Sequence, residues 1–398
     1  MRDPRTTILF FHASAELYGS DQTLLQLARG LDRERFRCVV ALPRLGPLVE
    51  PLRAAGATVE LGPLCVCGRA TLAPRGLLSA ARDLPRSIAW ARALIRRHQP
   101  DVVHTNTIVV PPGAFAARAE GVPHVTHVHE IMLRPRWLAR GLAGLFGGLS
   151  DVVVANSEAT RSHLLGLDPR LERHARVVRN GVPEFAPRAG IACAADARRE
   201  LGIDPDAAWI VLVGRVNALK GQALLLDAFE RVADVRPDAR LLFAGDAPPG
   251  QDRFVAELER RIAASRFRER VVRLPFRRDV DVLYRAADVV AVPSLLPESF
   301  GLVAAEAMTC ERPVVAARHG GLLEVVEDGV TGLHFTPGDA DELARALARL
   351  LDQPGFAREL GQTGRARQRE LFGVSRYCRE FEALYAELAA ARVQELAA

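Results

Sequence analysis

Residues 291–317 read AVPSLLPESFGLVAAEAMTCERPVVAA. The run that enters this stretch, Asp288-Val289-Val290-Ala291-Val292, is short, apolar and β-branched, so it is expected to be a buried strand. Pro293, Ser294 and Pro297 end it, and a helical run follows from Leu302 to Met308. Glu298 and Glu306 stand eight residues apart, which is about 12 Å and just over two turns of helix. Glu298 is therefore expected at the helix mouth and Glu306 two turns down, where the pair could hold both ends of an extended polar ligand. Phe300, Gly301 and Leu302 bring backbone N–H groups to the helix start, which favours a phosphate or sugar oxygen. The ordinary reading of such a pair is one solvated loop acid and one arginine-paired helix acid. Against it, Val303, Ala304, Ala305, Ala307 and Met308 surround Glu306 with small apolar side chains. A buried carboxylate needs a partner, and a ligand's hydroxyl pair is one.

Upstream, apolar strands alternate with helical segments. Strand signals lie at Ile8–Phe11, Cys38–Leu42, Val59–Leu61, Val102–His104, Val125–His129 and Val152–Ala155, and the pattern restarts at Trp209–Val213, Leu241–Ala244 and Val271–Phe276. Such alternation predicts parallel sheets covered on both faces, with ligands at the carboxyl ends of the strands. At 398 residues the chain is too long for one ordinary core. It divides into a first domain over residues 1–182, a linker over 183–205 rich in Ala, Pro, Gly and charge, and a second domain over 206–374. Residues 176–182 are expected to close the first domain as a strand ending in Asn180-Gly181-Val182. The helix over 375–398 carries Phe381, Leu384, Tyr385 and Leu388 at helical spacing.

Lys220 is the only lysine among 53 basic residues. In a chain where basic positions are otherwise arginine, it marks a place where a compact ammonium is not replaceable by a planar guanidinium. It lies in Gly214-Arg215-Val216-Asn217-Ala218-Leu219-Lys220-Gly221, directly after a strand and before a helix. Two cations at that position form a diphosphate clamp by physical logic. The spacing is not that of a Walker P-loop.

In the first domain, Tyr18-Gly19-Ser20-Asp21 opens the first helix, where Gly19 permits close backbone approach and Asp21 could cap the helix. His127 and His129 end a strand. They are expected to face opposite ways, with His129 on the ligand side, which argues against a shared metal. The chain has four asparagines: Asn106, Asn156 and Asn217 follow strand ends as site-lining or capping residues, and Asn180 starts a turn.

P-E-S-F-G-L-x-x-x-E-A-M, then P-V-V-A and G-G-x-x-E-x-V-x-D-G-x-x-G, resembles the donor-site signature of the family 4 retaining glycosyltransferases over residues 293–335. The resemblance implies the α/β GT-B fold: two facing Rossmann-like domains with an interdomain cleft, and a tail helix that crosses back onto the first domain. It implies transfer of a sugar from a nucleoside-diphosphate sugar to a sugar, glycan or lipid-linked acceptor, with retention and without a metal or other cofactor. Arg215 and Lys220 would neutralise the leaving diphosphate, and Glu306 would hold the ribose. Glu298 would bind the sugar, helped by backbone groups of Phe300, Gly301 and Leu302, and His129 would touch the sugar or acceptor. The family usually has two glycines where this chain has Gly19-Ser20, and a glycine where Phe276 stands in the nucleobase loop. A sugar-nucleotide epimerase and a non-catalytic sugar-nucleotide-binding protein share the architecture and remain alternatives.

Net charge is +5, with 49% hydrophobic residues. No nucleic-acid module is present, and no apolar run reaches the roughly 18 residues of a membrane span. Residues 1–14 read as a first strand rather than a secretory signal. The six cysteines, with Cys65-x-Cys67 the closest pair, lack zinc-finger spacing and suit a reduced, cytoplasmic protein. Residues 75–97, with Leu77, Leu78, Ile88, Trp90, Leu94 and Ile95 among arginines, and the stretch from Trp137 to Leu149 are of the kind that rests on an anionic membrane. Solvated domain helices are the equal alternative.

Overall fold

The computed structural model describes residues 3–67, 71, 74–248 and 250–397. They form two units: residues 1–181 together with 374–398, and residues 182–373. The first unit holds a sheet of β1 (Thr6–Phe11), β2 (Phe36–Leu42), β3 (Thr58–Leu61), β4 (Val102–Thr105), β5 (His124–Val128), β6 (Val152–Ala155) and β7 (Ala175–Val177). Every pairing is parallel and the order is β3-β2-β1-β4-β5-β6-β7. The second unit holds β8 (Ala208–Val213), β9 (Ala239–Ala244), β10 (Val271–Leu274), β11 (Val289–Val292), β12 (Val314–Ala317) and β13 (Gly332–Phe335). These are also all parallel, in the order β10-β9-β8-β11-β12-β13.

Both sheets are covered on two faces, which is why their strands read as unbroken apolar runs. In the first unit Ile8, Phe10 and Val40 enter one core, while Leu9, Phe11, Val39 and Ala41 enter the other. The helix Val374–Ala397 closes the first of these cores with Tyr377, Phe381 and Tyr385. Phe10 meets Tyr385 edge-on at 6.3 Å, and the Tyr385 hydroxyl lies 2.7 Å from His104 Nδ1.

In each sheet the strand order reverses once, between β1 and β4 and between β8 and β11. The loops that leave those strands diverge to opposite faces and open a crevice at the carboxyl edge, where ligands of open α/β sheets bind. The segments after β1, β4, β8 and β11 are therefore where function should be sought.

Several boundaries differ from expectation. The strand expected over 176–182 stops at Val177. Residues 183–205 are not a simple tether: they contain the helix Ala194–Leu201, whose Ala197 packs with Ile191, Val282 and Ala286 of the second unit. Arg198 fixes this helix with bonds to the Ala286 carbonyl at 2.9 Å and to Asp288 at 2.7 Å. The second unit's ends meet, since Val182 N–H donates to the Phe372 carbonyl at 2.7 Å.

Candidate functional site

The crevice of the second unit is built from the segments after β8 and β11. Asn217 makes a tight turn, its Oδ1 accepting from Leu219 N–H at 2.9 Å and Lys220 N–H at 3.1 Å. Asn217 is thus a turn-former, and the turn delivers Lys220. Gly221 has φ +72° and caps the helix Gln222–Val235; a Cβ there would lie 2.0 Å from the Pro293 carbonyl oxygen. Only glycine lets the β8 segment lie so close to the β11 segment. Lys220 Nζ consequently reaches Glu298 Oε1 at 2.7 Å, and the Ser294 hydroxyl donates to the same oxygen. Burial alone would push the Glu298 pKa up, but Lys220's charge and the hydrogen bonds from Lys220 and Ser294 overcome it. The carboxyl is held below its ordinary range and stays an anion. Arg215 is exposed on the same segment, its carbonyl accepting from Gln222 Nε2 at 3.0 Å.

Glu298 is braced from a third side. Gly321 N–H donates to its carbonyl at 2.8 Å, and Gly320, at φ +59°, has no room for a Cβ, which would lie 2.5 Å from that oxygen. His319 Nε2 lies 2.8 Å from the Ser294 carbonyl and so carries the proton, leaving its buried Nδ1 unpartnered.

The helix after β11 begins at Leu302, with Gly301 as its left-handed cap, so Glu306 lies in its second turn rather than two full turns down. The Phe300 side chain is buried against Phe372 at 5.4 Å, which leaves only its backbone for a ligand. Glu306 has a partner that the sequence did not suggest: the buried Tyr284 hydroxyl donates to its Oε2 at 2.6 Å. Burial raises the Glu306 pKa to about 7, and the bond from Tyr284 offsets this only in part. Phe276 lies beyond the end of β10, 47% exposed, its N–H donating to Asp246 Oδ2 at 2.8 Å.

The first unit carries a constellation of its own after β1 and β4. Gly19 opens the helix Gly19–Gly30. Asp21 does more than cap it: Oδ2 accepts from Tyr18 N–H at 2.8 Å, while Oδ1 takes His12 Nε2 at 2.7 Å. Asn106 Oδ1 lies 3.1 Å from His129 Nε2. The expected opposition of His127 and His129 does not occur. Residues two apart in a pleat share a face, and the two rings lie with centroids 4.0 Å apart. His127 is fully buried with neither ring nitrogen partnered, while His129 is half-buried at the strand end. Burial depresses both, His129 to about 3 and His127 well below its ordinary value. Glu130 receives His129 N–H at 3.1 Å and the Thr107 hydroxyl, and burial raises its pKa. Asn156 does not cap the helix Glu158–Leu167: Ser157 does, its hydroxyl accepting from Thr160 N–H at 2.9 Å, while Asn156 Oδ1 accepts from the Thr160 hydroxyl at 2.8 Å. Among the described residues no group of three or more His, Cys, Asp or Glu side chains is arranged to hold a metal ion.

The amphipathic segments divide. Leu94 and Ile95 are core residues and Trp90 packs edge-on against Phe11 at 6.5 Å, whereas Leu78 is 73% exposed. The side chains of Arg75 and Leu77 lie outside the described residues. Trp137 is 67% exposed on the helix Arg136–Leu149, beside exposed Arg134, Arg136 and Arg140. No helix among the described residues is long and apolar enough to cross a membrane.

Two doubly wound parallel units, each with polar side chains gathered where its strand order reverses, define the GT-B class. Residues 18–184 match the family described as Glycosyltransferase Family 4, and residues 194–367 match Glycosyl transferases group 1. The D-inositol 3-phosphate glycosyltransferase of Streptomyces bingchenggensis is 33% identical over 366 residues, covering 83% of this chain and 77% of that one. The corresponding protein of Segniliparus rotundus is 37% identical over 69% of this chain, and the match spans 62% of its length. The alpha-maltose-1-phosphate synthase of Mycolicibacterium smegmatis is 33% identical over 73% of this chain and 79% of its own. Anabaena Alr3699/HepE, solved in complex with UDP and glucose, superposes with a TM-score of 0.81 at 27% identity, covering 95% of this chain and 99% of that one. The chain belongs to the family 4, group 1 glycosyltransferases.

Proposed function

We propose that the chain transfers a sugar from a nucleoside-diphosphate sugar to a hydroxyl acceptor, with retention of configuration and without a metal, in the assembly of a polysaccharide or glycoconjugate. The observation that carries this reading is the Lys220–Glu298–Ser294 cluster at the second unit's switch point. A cation for phosphate and an anionic acceptor for sugar hydroxyls stand there within one hydrogen bond of each other. The solved complexes of Anabaena Alr3699/HepE with UDP and with UDP-glucose support a uridine donor as the first to try.

In the proposed reaction the bond from the anomeric carbon to the diphosphate oxygen breaks. Lys220 and Arg215 take up the charge that develops on the leaving oxygen, the part a metal plays elsewhere. Glu298, relieved of part of its bond to Lys220 by the incoming phosphate, accepts from the sugar hydroxyls. Backbone groups near Phe300, Gly301 and Leu302 complete that contact. Glu306 accepts from the ribose diol with Tyr284 behind it, and the Phe276 ring offers the base a stacking surface. The acceptor hydroxyl attacks the face that the diphosphate leaves, and its proton passes to the departing phosphate oxygen. In the first unit His129 serves a sugar or acceptor hydroxyl, and Gly19 offers its backbone to an anionic oxygen. Peripheral contact with an anionic membrane through Trp137 and its arginines would bring a lipid-linked acceptor within reach. Sedimentation with anionic liposomes at low salt tests that part.

Calorimetry with a panel of nucleoside-diphosphate sugars tests the core of the reading. One donor should bind, and Lys220→Ala should abolish the binding while the protein stays folded. Absence of binding by every sugar nucleotide would refute the mechanism.

A further inference from the structure

The first unit contains a chain of hydrogen bonds that ends on His129, and none of its other members belongs to the machinery described above. It starts at Asp21, buried at the opening of the helix Gly19–Gly30, with both carboxylate oxygens taken: Oδ2 by Tyr18 N–H at 2.8 Å and Oδ1 by His12 Nε2 at 2.7 Å. A carboxylate only accepts, so His12 Nε2 carries a proton. The other nitrogen, His12 Nδ1, faces Asn106 twice, at 3.2 Å from its carbonyl oxygen and 3.1 Å from its Nδ2. The Asn106 amide also donates from Nδ2 to the Ser20 carbonyl at 3.3 Å. That bond sets the amide orientation, because the flipped form would press Oδ1 against a carbonyl oxygen. Oδ1 therefore faces His129 Nε2 at 3.1 Å and can only accept from it. His129 is consequently protonated on Nε2, and its Nδ1 keeps the lone pair.

We propose that Asp21, His12 and Asn106 are positioning residues that lock His129 as the neutral Nε2–H tautomer and so present Nδ1 as a hydrogen-bond acceptor to a substrate hydroxyl. The proposal rests on the glycosyl-transfer reading for what His129 contacts, but not for the relay itself. Three features make the lock rigid. His12, Asp21 and Asn106 are each at most 1% exposed. His12 and Asn106 leave β1 and β4, adjacent strands at the switch point, so the sheet fixes their separation. The backbone of His129 is held independently by Glu130 Oε2 at 3.1 Å. The tautomer of an imidazole is set by the bond its far nitrogen makes. For metal-bound histidines loss of that supporting partner costs about ten- to a hundredfold, and the same order of loss is expected here by analogy.

The decisive experiment is a long-range proton–nitrogen NMR spectrum of the full chain labelled with 15N-histidine. The His129 signals would be assigned by their loss in His129→Gln. The expected spectrum shows His129 in one neutral form, protonated on Nε2. In Asn106→Ala the same signals should broaden or move to a mixture of tautomers, while those of His334, which belongs to the second unit, stay in place. A wild-type His129 protonated on Nδ1, or an unchanged Nε2–H signature in Asn106→Ala, would overturn the proposal. Should Asn106→Ala not fold, His12→Gln gives a second reading: the expected result is again a mixed His129 signature, and an unchanged one overturns the relay. In turnover with UDP-glucose as the donor probe, Asn106→Ala should lower kcat about ten- to a hundredfold with the donor KM changed less than about twofold. A rise in donor KM at constant kcat would count against positioning. Failure of the wild type to turn over UDP-glucose would bear on the donor reading, since the NMR experiment needs no donor.

Discussion

Acidification should weaken the first unit while it strengthens the second. In the first unit burial holds His124 and His129 at about 3 and His104 and His127 well below their ordinary value. The unfolded chain titrates these rings near about 6.5, so below that pH the unfolded state binds protons that the folded state refuses. The stability they contribute is therefore fully present above about pH 6.5 and is lost as the pH falls. Between about pH 7.5 and 5.5 each ring costs on the order of 1 kcal/mol, and the set costs about 4 kcal/mol. Glu130, raised by burial, pulls the other way and makes that figure an upper bound. Against a typical total of about 5–15 kcal/mol the loss is large. At a urea dependence of about 2 kcal/mol per molar, the midpoint should fall by about 2 M. In the second unit Glu306 is raised to about 7, so its folded form gains a proton that the unfolded form does not. That unit should gain up to about 2 kcal/mol over the same interval, a midpoint rise of about 1 M. Buried cysteines report each unit separately: Cys38 and Cys378 the first, Cys310 the second. Their trapping by a disulfide reagent active in acid, in urea series at both pH values, gives the two midpoints. The reasoning is refuted if the Cys38 and Cys378 midpoint does not move, or moves upward, on acidification. His127→Phe should reduce the pH slope by about one proton.

Three substitutions test the second unit. Gly221→Ala adds a Cβ 2.0 Å from the Pro293 oxygen at a φ of +72°, so it should displace Lys220 from Glu298 and lower donor affinity at least about tenfold by calorimetry. Tyr284→Phe removes the hydroxyl donor to Glu306, so the Glu306 pKa should rise above about 7 and donor affinity at neutral pH should fall about tenfold, recovering at higher pH. Glu298→Gln keeps the shape but removes the charge facing Lys220; kcat should fall at least about a hundredfold, and an unchanged kcat would remove Glu298 from the reacting site.

The strands were legible because parallel strands buried on both faces leave unbroken apolar runs, as in Ile210 to Leu212 and Val289 to Val292. Lys220 and Glu298 stand out for a different reason, since they follow the ends of such runs, where residue choice is not dictated by packing; Glu306 stands out as a carboxylate inside a helix of small apolar residues. What the sequence hid were partners that tertiary folding brings together. Tyr284 and Glu306 are 22 residues apart, and His12 and Asn106 are 94 apart. No periodicity links such pairs. His319 gave no signal either, since its relation to Ser294 depends on how the Gly320-Gly321 turn folds over Glu298. His127 and His129 were misjudged on geometry that the pleat itself supplies, since residues two apart share a face.

The second unit is an insertion into the first, its two ends joined through Val182 and Phe372. During synthesis the strands of the first sheet leave the ribosome well before residues 374–397, which carry Tyr377, Phe381 and Tyr385. Until that helix arrives, Phe10, His104 and His127 have one face open to water. The inserted unit, contiguous in the chain and complete by residue 373, can reach its fold earlier. The nascent chain would thus mature from the middle outward. A message cut short after codon 373 would yield a finished second unit attached to a sheet that cannot close, a product fit for proteolysis rather than for partial function.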